Sequence, residues 1–296
     1  VIRLAFTSDL HTDSHPANRR VWQEMVAILR EVQPDVFVCC GDVAASARQV
    51  ALTLFALEPL PCPKLFVPGN HDIWLPNQAW RRQGITSQDK YYKLLPALCR
   101  EAGFHPLWVE PYVCGGVAFC GSMGWYDYSL RNPGLDERFS RQDYRRKSYE
   151  GLQWNDAQFV HWRSPQDGDG AGKRLADEAV TGRMVEELHE QLQRARRRAA
   201  RLIVVTHMLP FQTMVRHFQE PQRDYFSAFM GSARLGNLLL EWPEVELVLA
   251  GHTHRQVTVQ VGHIMATTSP LGYARQWRSQ SPREVACERL TFLDIS

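Results

Sequence analysis

Five apolar runs, spread from residue 2 to residue 250, each break off into aspartate, asparagine or histidine. Residues 2–7 run into Asp9-Leu10-His11, and residues 35–40 into Gly41-Asp42. Residues 64–67 lead to Gly69-Asn70-His71-Asp72, residues 202–206 to His207, and residues 246–250 to Gly251-His252-Thr253-His254. Short apolar runs bounded by glycine and proline read as strands buried on both faces. When such strands lie parallel in an open α/β sheet, their carboxyl ends share one edge, and ligands bind outside that edge. The pattern therefore predicts an α/β fold that gathers polar residues from distant parts of the chain at one place.

The segments between the runs agree with that class. Residues 18–32 carry Val21, Trp22, Met25, Ile28 and Leu29 at helical spacing before Pro34, and residues 45–57 also read as a helix. The first half is thus β-α-β-α-β, a sheet covered by helices. In the second half a charged helix is predicted over residues 175–200. A hairpin is predicted from 256–261 and 263–268 about Gly262, and a closing strand near 289–295.

Residues 122–172 differ in kind. Trp125, Tyr126, Tyr128, Tyr144, Tyr149, Trp154 and Trp162 are mixed there with arginine and glycine, and the β-α alternation lapses. This stretch reads as an insertion or cap within one domain of residues 1–296. It is predicted to be helical around 151–162 and to have a linker at 167–173.

The strand ends supply aspartate oxygens, an asparagine amide oxygen and imidazoles, with no thiolate among them. That donor set suits borderline divalent ions such as Mn, Fe or Zn. A carboxylate at Asp42, after a glycine that permits close backbone approach, is placed to bridge two ions. A metal pair about 3.5–4 Å apart can clamp the attacking and leaving oxygens of an in-line displacement. Each fragment has a plainer reading: Gly-Asp after a strand is usually a turn, and Gly-Asn-His-Asp can be a capped loop. Their conjunction, in this order and each at a strand end, is what outweighs those readings.

Other properties narrow the function. With 34 basic and 32 acidic residues the net charge is +2, which lacks the basic bias of a nucleic-acid binder. Seven irregularly spaced cysteines, including adjacent Cys39 and Cys40, read as small core residues in a reducing compartment rather than disulfides. No apolar stretch approaches the roughly 20 residues of a membrane span, and the N-terminal run is too short for a secretory signal. A cytoplasmic location is expected. The chain opens on Val1, so removal of an upstream piece stays open.

Taken together, DLH (9–11), GD (41–42), GNHD (69–72), TH (206–207) and GHTH (251–254) resemble the calcineurin-like metallophosphoesterase superfamily. The resemblance spans nearly the whole chain apart from the aromatic segment. It implies a four-layer α-β-β-α sandwich of two mixed sheets, with 122–172 as an inserted cap. It implies one metal held by Asp9, His11, Asp42 and His254, and a second held by Asp42, Asn70, His207 and His252. His71 would protonate the leaving oxygen of a phosphate ester, and Asp72 would orient His71 or brace the loop. The Asp-x-His opening departs from purple acid phosphatases. GDVAAS and GNHD depart from the GDxVDRG and GNHE of protein Ser/Thr phosphatases, so Ala45 stands where those carry an acidic partner for the catalytic histidine.

The expected activity is hydrolysis of a phosphomonoester or diester of small-molecule or nucleotide type. Trp125, Tyr126, Tyr128 and Arg145 are the candidates for substrate contact, because aromatic faces with guanidinium groups stack bases and hold phosphates; the favoured reading is nevertheless that the aromatics build a core for the cap. The run at 194–201 reads as a solvated helix end, with nucleic-acid contact the less favoured reading. Two rivals remain. A repair-type nuclease would be expected to carry a DNA-capping domain, and a non-catalytic scaffold would be expected to have lost ligands or His71. Neither change is visible.

Overall fold

The structure is a computed structural model that describes residues 1–164, 172–277 and 279–296. Its strands are β1 Ile2–Thr7, β2 Val36–Cys39, β3 Lys64–Phe66, β4 Phe104–Pro106, β5 Tyr112–Cys114, β6 Val117–Ser122, β7 Ser148–Tyr149 and β8 Leu152–Gln153. They continue with β9 Arg201–Thr206, β10 Val245–Ala250, β11 Thr258–Val261, β12 Ile264–Thr268 and β13 Thr291–Ile295. Two mixed sheets form. One has the order β13-β1-β2-β3-β4, parallel except for β13. The other has the order β11-β12-β10-β9-β6-β5, parallel in its centre with antiparallel edges.

Side-chain alternation explains the layers. Leu4, Phe6, Val38 and Leu65 meet Phe119, Ile203, Val205 and Leu249 in a core between the sheets. The opposite face of the first sheet, through Ala5, Phe37, Cys39 and Phe66, packs under α1 (Pro16–Val32) and α2 (Ala47–Phe55). The opposite face of the second, through Leu202, Val204 and Val248, packs under the helices Asp177–Ala195 and Ala233–Leu240. Successive residues of a strand point to opposite faces, so adjacent Cys39 and Cys40 enter different cores. All seven cysteines are free. The four-layer sandwich of two mixed sheets is thus the observed architecture.

The predicted strands at the five motifs are all present, within a residue of their expected bounds. α1 begins earlier than expected, at Pro16, because Pro suits the first helical position and His15 caps it by accepting the Ala17 N–H at 3.1 Å. The helix predicted at 175–200 spans Asp177–Ala195.

The aromatic segment departs furthest from expectation. Over 151–162 only Asp156–Phe159 is helical. The preceding residues instead form the hairpin β7–β8, which turns through Glu150 and Gly151 at φ 48° and 79°. Two consecutive positive φ values match a type I′ turn, which joins strands rather than starting a helix. Trp125, Tyr126, Tyr128, Tyr144 and Trp162 join the same continuous core as Phe37 and Phe66. The linker predicted at 167–173 lies, up to residue 171, outside the described residues.

Candidate dinuclear metal centre

The strand ends converge through backbone hydrogen bonds between the loops that follow them. Asp9 N donates to Gly41 O at 2.9 Å, His11 N to Asp42 O at 3.0 Å, and Gly251 N to His207 O at 2.9 Å. Contact is close enough that two glycines are obligatory. A Cβ on Gly69 would lie 2.1 Å from Asp42 Oδ1, and one on Gly41, at φ 87°, would lie 2.5 Å from Gly69 N. Immediately beyond the strands the chain turns sharply: Asp9, His11, Asp42, His252 and His254 all have φ between 43° and 68°. A non-glycine residue held there costs of order 1–3 kcal/mol, and such strain gathers at functional sites.

Those turns aim the side chains at one another. Ligand atoms of Asp9, His11, Asp42 and His254 lie within 4.8 Å of each other, and so do those of Asp42, His207 and His252. Asp42 belongs to both groups. His254 Nε2 is 3.3 Å from Asp9 Oδ1, and His207 Nε2 is 3.4 Å from Asp42 Oδ1. Asn70 joins the second group, its Oδ1 3.2 Å from His207 Nε2.

Partners behind the ligands fix their orientation. A carbonyl can only accept, so His207 Nδ1–H donates to Cys40 O at 2.8 Å and His252 Nε2–H to Phe229 O at 3.1 Å. That leaves His252 Nδ1 as the lone pair facing His207 Nε2 at 3.2 Å, so both of these atoms point at the place where the second ion would sit. Asp9 receives Ser8 Oγ–H at 2.5 Å and the His252 N–H on both its oxygens.

The electrostatics of the cluster follow from burial and mutual charge. Burial opposes ionisation of Asp9, but the His254 hydrogen bond and charge bring its pKa down to about 2. Burial likewise opposes ionisation of Asp42, yet His207 and His71 hold it well below the usual carboxylate range. Burial lowers His11 well below its ordinary value, with His71 adding to the effect. Burial and then His207 push His252 down to about 4. For His207 burial is outweighed by Asp42, and its pKa rises to about 9. At neutral pH the cluster therefore offers two carboxylates and at least two neutral imidazoles, a donor set that fits borderline divalent ions.

His71 stands beside these groups without joining either. Its backbone N–H donates to Asp42 Oδ1 at 2.8 Å, its Nε2 is 3.8 Å from Asp42 Oδ2, and its ring stacks on Trp74 with centroids 3.6 Å apart. The side chain keeps 17% exposure and faces a cleft of about 460 Å³. A general acid needs that position, at the metal groups yet open to substrate.

Family comparison matches the pattern over most of the chain: the model for calcineurin-like phosphoesterases covers residues 2–256. The chain belongs to this family. It is a phosphoric ester hydrolase of a family that uses a dinuclear divalent metal centre. Among solved structures, the phosphoesterase is similar to the phosphopantetheinyl hydrolase PptH of Mycobacterium tuberculosis, at 20% identity with a TM-score of 0.72, over 98% of this chain and 95% of that one. It is also similar to a dimetal phosphatase of Danio rerio, at 12% identity with a TM-score of 0.50, over 90% and 87% of the two chains. At these identities the likeness is one of fold. No curated protein matches the chain.

Several sequence expectations need correction within the phosphoesterase. Trp125, Tyr126 and Tyr128 are fully buried and do not line the cleft. Trp125 Nε1–H and Tyr128 O–H donate to Asp177, which also takes the Lys147 ammonium at 2.8 Å. Arg145 is committed to Glu178 at 2.7 Å. The three aromatics are not available to substrate, their core reading is the right one, and Arg145 lies on the surface outside the lining of the cleft.

Asp72 does not orient His71 either. Its Oδ2 accepts the Asp42 and Gly69 N–H groups and its Oδ1 those of Val43 and Ala44, all at 2.8–3.0 Å. It braces the two metal-bearing loops.

The cleft walls are instead Trp74, Trp154, Phe226, Met230 and Tyr273. Behind them lies Asp156, a buried carboxylate that sequence reasoning passed over. Trp154 and Asp156 lay inside the segment already singled out, but nothing in their spacing separates cleft wall from core.

Two of the five arginines in the basic run have acidic partners beside them. Arg196 pairs with Glu244 and Arg201 with Glu246. No helix among the described residues is long and apolar enough to cross a membrane.

Proposed function

We propose that this chain hydrolyses phosphate esters of small-molecule or nucleotide type, as a phosphodiesterase or phosphatase. The observation that carries the reading is the pair of ligand groups sharing Asp42, with His71 beside them at the floor of a cleft of about 460 Å³. Clefts of roughly 300–1,000 Å³ suit small ligands, and a non-catalytic scaffold needs no such site.

One ion would be held by Asp9, His11, Asp42 and His254, and the other by Asp42, Asn70, His207 and His252, with Mn, Fe and Zn as candidates. When bound, two such ions would supply a nucleophilic water at neutral pH and neutralise charge on the phosphoryl oxygens. The chain's own residues do the rest. Asp42 links both groups, Asn70 is fixed by Asp156, and the apolar walls exclude bulk water. His71 Nε2 delivers a proton to the departing oxygen.

The shared core of the aromatic segment supports one domain over 1–296, with 122–172 inserted in it. The seven free cysteines support a reducing compartment such as the cytoplasm.

The test is hydrolysis of p-nitrophenyl phosphate and bis-p-nitrophenyl phosphate by metal-stripped protein reloaded with Mn, Fe or Zn. Metal-dependent cleavage is expected, and the better ester assigns monoester or diester preference. Absence of cleavage together with absence of bound metal would return the scaffold reading.

A further inference from the structure

A second concavity, of about 540 Å³, opens beside the metal centre and shares Trp154, Phe226, Met230, Thr253 and His254 with the first cleft. Its remaining wall includes Arg216, Arg223 and Arg255, and no acidic residue lines it among the described residues. Arg216 and Arg223 both lie over the Phe218 ring, at 4.7 and 3.5 Å from its centroid. One aromatic side chain thus holds two guanidinium groups, which gathers positive charge at this wall.

Compensation from the protein is slight. Arg223 has one exposed ion pair, with Glu220 at 3.5 Å, while Arg216 and Arg255 have none among the described residues. Arg255 is held by a hydrogen bond to Met214 O at 3.2 Å, and its buried Nε–H has no partner. Solvated single arginines are ordinary. Three of them lining one concavity that opens on a phosphoesterase centre are a different matter, because the planar fork of arginine matches phosphate oxygens bidentately.

We propose that this arginine-lined cleft binds a second phosphate of the substrate, so that the enzyme prefers esters carrying two phosphate groups. The scissile phosphate then lies at the metal groups and the second among Arg216, Arg223 and Arg255. The connecting part of the molecule passes Trp154 and Phe226. This rests on the hydrolytic reading above and narrows its substrate class.

Two measurements separate the failure of one from the failure of the other. The first compares kcat/KM for adenosine 3′,5′-bisphosphate and adenosine 5′-monophosphate, with p-nitrophenyl phosphate, which is too short to span both clefts, as reference. The wild type should prefer the bisphosphate by about tenfold or more. The doubly substituted Arg216→Ala, Arg223→Ala protein should lose at least about tenfold more on the bisphosphate than on the reference. Both arginines are exposed, so the variant is expected to fold.

The second is calorimetric binding of inorganic pyrophosphate to metal-free protein, which needs no turnover. It should weaken about tenfold in the same variant. Equal use of the two nucleotides by the wild type, or an equal loss on bisphosphate and reference, overturns the proposal. Should no ester be cleaved, the hydrolytic reading fails by itself, and pyrophosphate binding indifferent to the two substitutions still overturns the cleft.

Discussion

Asp156 and Asn70 are joined by a hydrogen bond of 3.0 Å that decides which way the asparagine faces. Because the amide N–H donates to the carboxylate, Asn70 Oδ1 is turned toward His207 Nε2, where a metal ligand is needed. The same carboxylate accepts the indole N–H groups of Trp74 at 2.7 Å and Trp154 at 2.8 Å. One buried side chain thus orients a ligand and both aromatic walls of the cleft.

Replacing Asp156 by Ala strands those three donors in the interior. The expected loss of stability is about 2–4 kcal/mol, and metal affinity at the Asn70 group should fall roughly 10–100-fold. Thermal unfolding with metal titration checks both. A variant as stable and as metal-replete as the wild type would remove Asp156 from this role.

His71 calls for the opposite signature. It ligates neither group, so His71→Ala should keep its metal content while turnover drops by roughly 10²–10⁴. Metal analysis beside steady-state kinetics reads both quantities. Unchanged turnover would exclude it as the proton donor.

Asp72 is expected to act through structure. Its carboxylate accepts four backbone N–H groups from the loops bearing Asp42 and Asn70. Asp72→Ala leaves those buried donors unpaired, and a cost of about 3 kcal/mol or more is expected, since one unsatisfied donor costs roughly 1–3. Denaturant unfolding measures it. A stable variant with selectively slowed turnover would restore the orienting role that its place beside His71 first implied.

What the sequence disclosed and what it hid divide on physical lines. Asp9, Asp42, Asn70, His207 and His252 were legible because a strand end is a local signal, and parallel strands carry such ends to one edge wherever they lie in the chain. Trp125 and Tyr128 were not, because an aromatic beside basic residues looks the same whether it stacks a ligand or donates to a buried Asp177. Only packing between distant segments decides that. Trp154 is the converse case: the turn at Glu150 and Gly151 carries it to the cleft, where a helix had been expected. The order of strands and helices followed from the β-α alternation and the two-sheet sandwich from the family resemblance, whereas the short β4 and β5 have no period long enough to read.

His207 ties metal binding to pH. In the metal-free protein its pKa is raised to about 9, with Asp42 outweighing burial. Its contribution to stability is therefore full below the unfolded value near 6.5 and is lost as pH rises through about 9. A metal ion must displace that proton, so apparent affinity should rise by up to about tenfold per pH unit from 6.5 and level off near 9, with about one proton released per chain at pH 7.5. Calorimetry in buffers of different ionisation enthalpy counts the proton. Affinity flat across this window would contradict the assignment.

The sharing of Asp42 between the two ligand groups is tested most directly by metal stoichiometry, measured by elemental analysis on stripped and reloaded protein. The wild type should hold two ions per chain, and Asp42→Asn should lose both together. A wild type that saturates at one ion, or a variant that gives up one and keeps the other, would contradict a dinuclear centre built on this carboxylate.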